Sequence, residues 1–219
     1  SVSGAPIGVF LMLRRMSLTG DAMAHAILPG AALGYLVAGF SLPAMTIGGL
    51  AAGFAVALAA GAVARATVLK EDASLAAFYL ISLALGVTIV SLRGSAIDLL
   101  HVLFGNVLAL DDQVLILLAG VATVSLLSLA ALYRPLVLEC VDPGFLRSVS
   151  RSGGFVHLTF LALVVLNLVA GFHALGTLLA VGMMMLPAAA ARFWTADITR
   201  LLLLAAGFGM VSGYAGLVT

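Results

Sequence analysis

The sequence predicts an all-α fold, a polytopic bundle of about eight transmembrane helices making a single domain over residues 1–219. Three observations carry this. Of the 219 residues 63% are hydrophobic and only 9% charged, against about 25% charged in an ordinary soluble domain. The apolar residues fall in runs close to the roughly 20 that a helix needs to cross the hydrocarbon core. No run alternates apolar and polar residues as a membrane β-strand would, which excludes a barrel.

Val2 to Leu13 is apolar but too short to span. No basic leader or cleavage pattern precedes it, so it reads as a truncated first helix and not as a signal peptide. A second helix covers about Gly20 to Phe40 and ends at the tight turn Ser41-Leu42-Pro43, and a third runs from about Pro43 to Ala64. Arg65 to Asp72 is a polar loop, followed by a fourth helix from about Ala73 to Leu92. Asp98 to Asp112 is half polar and suits a short surface or re-entrant piece. The fifth helix covers about Gln113 to Leu132, and Tyr133 to Gly153 is the longest polar insertion. The sixth, seventh and eighth helices are expected at about Gly154 to Gly171, His173 to Ala191 and Ile198 to Val218.

This arrangement puts Arg14, Arg15, Arg65, Lys70, Arg134, Arg147, Arg151, Arg192 and Arg200 in alternate loops and leaves Arg93 alone on the other side. Such a bias marks the cation-rich side as cytoplasmic. The basic residues are too dispersed for a nucleic-acid surface. Cys140 is the only cysteine, so no intrachain disulfide can form.

Within this apolar background Asp21 and His25 stand one helical turn apart in Gly20-Asp21-Ala22-Met23-Ala24-His25-Ala26-Ile27-Leu28-Pro29-Gly30. An ionisable residue deep in a bilayer costs roughly 2.5–3.5 kcal/mol even on the lenient scale, so such residues face a cavity, a partner or an ion. Residues i and i+4 share a helix face, and one carboxylate with one imidazole suits Zn²⁺, Mn²⁺ or Fe²⁺ better than Cu(I). The competing reading makes Asp21 the N-cap of its helix and leaves His25 bonded to a neighbouring helix. Pro29 removes a backbone hydrogen bond, so a kink at Pro29-Gly30 could open space beside the pair.

Two ligands do not complete a site, and His173, toward the external side, is the next metal candidate, with Asn167 after it. His101 and His157 read as interfacial and receive no role. Met183, Met184 and Met185 are consecutive, point about 100° apart on a helix and so cannot converge on copper; they read as apolar filler. In the cytoplasmic insertion, Asp142 is a natural N-cap and Pro143 a natural first helical residue, which predicts a short helix on the cytoplasmic face.

The chain has no phosphate loop, its one lysine being Lys70, and neither a His-Glu-x-x-His nor a Gly-x-Ser-x-Gly motif. It is not expected to be an enzyme or to hold a permanent cofactor. A membrane enzyme using the Asp/His pair would need a third group to orient the base.

The stretch from Arg14 to Gly30 resembles the signature of permease subunits of bacterial ABC importers for zinc, manganese and iron. The resemblance continues through Phe104 to Leu108, Val141 to Phe145, Leu175 to Leu179 and Leu186 to Arg192, nearly the whole chain. It implies a multi-pass protein of the bacterial cytoplasmic membrane, working by alternating access as a homodimer within membrane lipid. It further implies cytoplasmic ATPase subunits that hold the ATP, and an extracytoplasmic metal-binding protein that delivers the ion, Zn²⁺ first, with Mn²⁺ or Fe²⁺ as the alternatives. Asp142, Pro143, Gly144, Phe145, Leu146 and Arg147, within a coupling segment at about 134–152, are where the resemblance places contact with the ATPase. The rival expectation is an ATP-independent metal channel or a proton-coupled carrier, with Asp21 carrying the proton.

Overall fold

In lipid every backbone N–H and C=O must be satisfied within the chain, so long apolar runs close into helices. The computed structural model describes residues 2–39, 41–67, 71–92, 111–141 and 153–218. Among these lie α1 (Gly4–Leu13), α2 (Ser17–Ala38), α3 (Leu42–Ala66), α4 (Glu71–Leu92), α5 (Asp112–Val141), α6 (Gly153–Arg192) and α7 (Ile198–Val218). Five of them are long and apolar enough to cross a membrane. Ser41 caps α3 with Pro43 in its first turn, where a missing N–H costs nothing.

Beyond α4, two expected boundaries move. The fifth helix does not stop at Leu132 but continues to Val141, through Pro135. Of the charges read there as loop residues, Glu139 is ion-paired with Arg14 and Arg134 stays exposed, while Leu136 between them is fully buried. The expected polar insertion therefore shrinks to residues 142–152, outside the described residues, as are His101 and Asp142 to Arg147.

The second change concerns the sixth and seventh helices, which form one helical run of 40 residues with a single non-helical residue, Gly176, at φ 76° and ψ 173°. A straight helix of that length would be about 60 Å long, twice the hydrocarbon core. Gly171 and Ala180 would then lie about 13.5 Å apart along the axis. Instead, a Cβ built on Gly171 meets the Ala180 Cβ at 2.9 Å, so the chain doubles back at Gly176. The reversal falls at Gly176 and not at Phe172 because only glycine adopts this backbone conformation without strain. Gly176→Ala is expected to destabilise the protein by about 1–3 kcal/mol, read as a lowered Tm in detergent, whereas Gly207→Ala, with open space around it, should not.

The described parts of Ser1–Ser17, Leu118–Asn167 and Gly182–Thr219 form one compact unit, and those of Leu18–Leu117 and Leu168–Val181 a second. The first unit is centred on Ala5, Val9, Ala188, Ala191, Leu201 and Ala205, where small side chains let α1, α6 and α7 approach closely. Asn167 ties three helices there: its Nδ2 donates to Ser125 Oγ at 2.6 Å and to the Leu163 carbonyl at 2.9 Å, while Ser3 Oγ donates to its Oδ1 at 2.7 Å. In the second unit α2 and α3 meet backbone to backbone at Gly30 and Gly48 and again at Gly34 and Ala44. Ile27 and Val169 close over Gly49.

Candidate metal site

α2 opens at Ser17, four residues before Asp21, so Asp21 lies inside the helix and cannot be its N-cap. Its carboxylate and the His25 imidazole are stacked by the helical repeat. His25 Nε2 stands 3.7 Å from Asp21 Oδ1, with the His25 side chain 19% exposed and Asp21 55%. That separation is beyond the roughly 2.7–3.2 Å of an N–H···O hydrogen bond. A divalent ion with ligands at about 2.0–2.2 Å would hold two of them roughly 3.0–3.4 Å apart, so a closure of a few tenths of an ångström would bring the pair to that span.

The imidazole is positioned by packing. Tyr79 of α4 lies against it, ring centroids 5.1 Å apart and planes at 51°. Its Nδ1 is buried with no hydrogen-bond partner among the described residues. A ligating histidine ordinarily donates its second N–H to an acceptor, and losing that acceptor costs about 10–100-fold in affinity. An ion on Nε2 would be held without that support.

Pro29 lacks the N–H that would bond the His25 carbonyl, yet α2 runs through it as one helix. Gly30 serves a close crossing: a Cβ there would fall onto the Gly48 carbonyl. Gly86 of α4 packs on Pro29 from another side, its built Cβ 3.5 Å from the proline Cδ.

Among the described residues no third His, Cys, Asp or Glu joins the pair. Asn167 is committed to Ser3, Ser125 and Leu163. His173 sits near the Gly176 reversal with Nδ1 2.7 Å from the Val169 carbonyl, so Nδ1 carries a hydrogen. Its Nε2 faces Thr46 Oγ1 at 3.4 Å, and that hydroxyl donates to the Leu42 carbonyl at 2.7 Å. Phe172 holds the ring edge-on at 5.4 Å. Of the three methionines, Met184 packs on Gly4 and Gly8 of α1 and Met183 on Gly213 of α7, so they do not converge.

The sequence reading missed one cluster. Glu139 pairs with Arg14, and His157 Nδ1 lies 3.8 Å from the same carboxylate oxygen. The available signal was a single acid inside Leu136-Val137-Leu138-Glu139-Cys140-Val141, an apolar run that a solvated loop would not need.

The model of the ABC 3 transport family matches residues 1–219. The manganese transport system membrane protein MntC of Halalkalibacterium halodurans is 35% identical over 213 residues, which cover 96% of this chain and 71% of that protein. The manganese import system permease protein ScaB of Streptococcus parasanguinis is 34% identical, over 99% of this chain and 75% of that one. Among solved structures, PsaBC from Streptococcus pneumoniae in complex with Fab matches with a TM-score of 0.84 and 31% identity, over 99% of this chain and 76% of that one. With its all-α bundle and apolar spans, this chain belongs to the ABC 3 transport family, as a multi-pass, non-catalytic permease of the bacterial cytoplasmic membrane.

Proposed function

We propose that this chain is the membrane-spanning subunit of an ATP-driven importer of divalent transition-metal ions, with Mn²⁺ as cargo, and that Asp21 and His25 hold the ion in transit. The observation that carries the reading is the 3.7 Å gap between Asp21 Oδ1 and His25 Nε2 inside α2, too wide for a hydrogen bond and close to the span of two ligands on one ion. The similar proteins named above are manganese transporters, which moves the reading from zinc to manganese. The chemistry agrees. A carboxylate completed by water or carbonyl oxygens suits the harder Mn²⁺.

An exposed carboxylate turned to acyl chains would be costly. Asp21 is therefore placed on a water-filled passage between two copies of this chain, where two Asp/His pairs can serve one ion. ATP binds on separate cytoplasmic subunits, an external metal-binding protein delivers the ion, and Asp142 to Arg147 meet the ATPase. Alternating access follows: the pair accepts an ion from outside and loses it inward when ATP drives the coupling segments together. His173, whose Nε2 lies beside Thr46, is assigned to entry and not to the Asp21/His25 grip. Family membership favours this over an ATP-independent channel or carrier.

In proteoliposomes holding the permease, its ATPase and its binding protein, Mn²⁺ is expected to stimulate ATP hydrolysis several-fold, and Mn²⁺ to accumulate only with ATP. Metal flux without ATP, or hydrolysis indifferent to Mn²⁺, Fe²⁺ and Zn²⁺ alike, overturns the reading.

A further inference from the structure

α3 and α6 bring Thr46 and His173 together with the hydrogens of both already engaged elsewhere. His173 Nδ1 lies 2.7 Å from the Val169 carbonyl, which can only accept, so the imidazole hydrogen sits on Nδ1 and Nε2 keeps a lone pair. The Thr46 hydroxyl has one hydrogen, and the Leu42 carbonyl takes it at 2.7 Å. Oγ1 therefore also turns a lone pair toward Nε2, 3.4 Å away. That separation is beyond the roughly 2.7–3.2 Å of a good hydrogen bond. Two electron-pair donors face each other, an arrangement that a cation or a shared water hydrogen resolves. Two ligands at about 2.0–2.2 Å from one ion stand roughly 3.0–3.4 Å apart, and this pair is already at that span.

The ring is held as a ligating histidine ordinarily is. A backbone carbonyl takes its second N–H, which fixes the tautomer and raises the basicity of the ligating nitrogen. His25 lacks this support, its Nδ1 being buried without a hydrogen-bond partner among the described residues. Phe172 meets the His173 ring edge-on, with the planes at 84°. Val169, whose carbonyl orients the ring, also packs against Gly49, and Gly49 follows Thr46 by three residues on one face of α3. The contact that seats α6 on α3 thus also keeps the two donor atoms in register.

Thr46, His173, Asp21 and His25 all belong to the second compact unit, so their relative depth can be read. α2 and α3 run antiparallel, Gly30 meeting Gly48 and Gly34 meeting Ala44, which sets Thr46 level with Ala32. Ala32 is two turns beyond His25, about 10 Å along the axis at 1.5 Å per residue. α2 leaves the cation-rich side, so Thr46 and His173 lie outward of the pair. Their chemistry differs from that of the pair. A neutral nitrogen and a neutral oxygen hold an ion weakly and release it, whereas Asp21 adds a charge further in. Imidazole suits transition metals, while Mg²⁺ and Ca²⁺ take oxygen ligands.

We infer that His173 Nε2 and Thr46 Oγ1 form an outer half-site for a transition-metal ion, completed by water, which takes the ion before Asp21 and His25 do and passes over Mg²⁺ and Ca²⁺. This rests on the reading of the chain as a metal permease with His173 at entry, and adds to it the second ligand and the selectivity. The ion goes from a neutral station to a charged one.

The test uses the complex of permease and ATPase, with Mn²⁺ as the probe. In the double variant Asp21→Ala, His25→Ala, Mn²⁺ should still bind, and its paramagnetic resonance should carry the coupling of one imidazole nitrogen. Adding His173→Gln should remove that coupling. Adding Thr46→Val instead should keep it and weaken binding by about tenfold, the upper worth of one neutral contact, while Thr46→Ser, which keeps the oxygen, should bind as before. Mg²⁺ or Ca²⁺ in large excess should leave the nitrogen-coupled signal in place. His173→Gln in the otherwise intact chain should lower the Mn²⁺ bound at saturation, a count that does not depend on the double variant folding. No nitrogen-coupled Mn²⁺ in the double variant, or a coupling that survives His173→Gln, overturns the half-site: Thr46 and His173 then only hold α3 on α6 or share a water. Displacement by Mg²⁺ or Ca²⁺ overturns the selectivity. Uptake by the full importer separates this from the reading beneath it. If the double variant stops uptake and shows no outer ion, the half-site alone fails. If the wild-type complex binds no Mn²⁺, Fe²⁺ or Zn²⁺ at all, the metal-permease reading has failed first.

Discussion

Asp21→Ala and His25→Ala are each expected to bring Mn²⁺ uptake down to the level of liposomes without ATP, while Tm and assembly with the ATPase stay near wild type. The expectation follows from the proposal that the two side chains act as one grip. With either gone, the ion keeps a single protein contact, which water displaces. Residues acting as a unit give non-additive losses, so the double variant is expected to be no worse than either single one. Folding is spared because Asp21 and His25 are too far apart to hydrogen-bond and Asp21 is 55% exposed. Asp21→Asn, which keeps an oxygen ligand and loses the charge, should fall between wild type and alanine. Radiometal uptake in reconstituted vesicles reads all four variants, and normal uptake by both alanine variants removes Asp21 and His25 from the path.

That Asp21 and His25 share one helix face was legible in the sequence because the relation is local. A four-residue spacing on a helix fixes which side chains share a face, whatever the tertiary structure does. What lay beyond one element was not legible. Arg14 and Glu139 are distant in the chain, and an acid four residues past Pro135 looks like part of a loop until the partner that neutralises it is in place. Proline and acid are weak local signals that packing overrides. The reversal in α6 failed for a similar reason: Gly171 and Gly176 look alike as sequence, and only the backbone angles show that one supplies close contact and the other the turn. The start of α2 shifted by one turn, enough to change Asp21 from a possible cap into an interior residue. The buried, unpartnered Nδ1 of His25 depends on α4 and on which atoms surround the ring, so no pattern in α2 could announce it.

Gly30→Val should be among the most destabilising single changes in the second unit, by about 3 kcal/mol or more, the upper end of the cost of overpacking. A Cβ at Gly30 would fall onto the Gly48 carbonyl oxygen and lie 2.6 Å from the Ala52 Cβ, and one at Gly48 would fall onto the Gly30 carbonyl. These neighbours are backbone atoms, so no change of rotamer relieves the clash and α2 must move away from α3. Inside a membrane no hydrophobic force pulls the helices together again, because their association depends on close van der Waals contact between small residues. Separation also displaces His25, one turn along α2, from Tyr79, so ion uptake is lost with stability. Gly48→Val should do the same damage. The double variant should cost much less than the two singles added together, since helices parted by one side chain have room for the second. Gly120→Val, with nothing within 4 Å of its built Cβ, is the control, with little change expected. Thermal unfolding of the four purified variants in one detergent checks the series, and additive losses at Gly30 and Gly48 would show that the two glycines do not share a crossing.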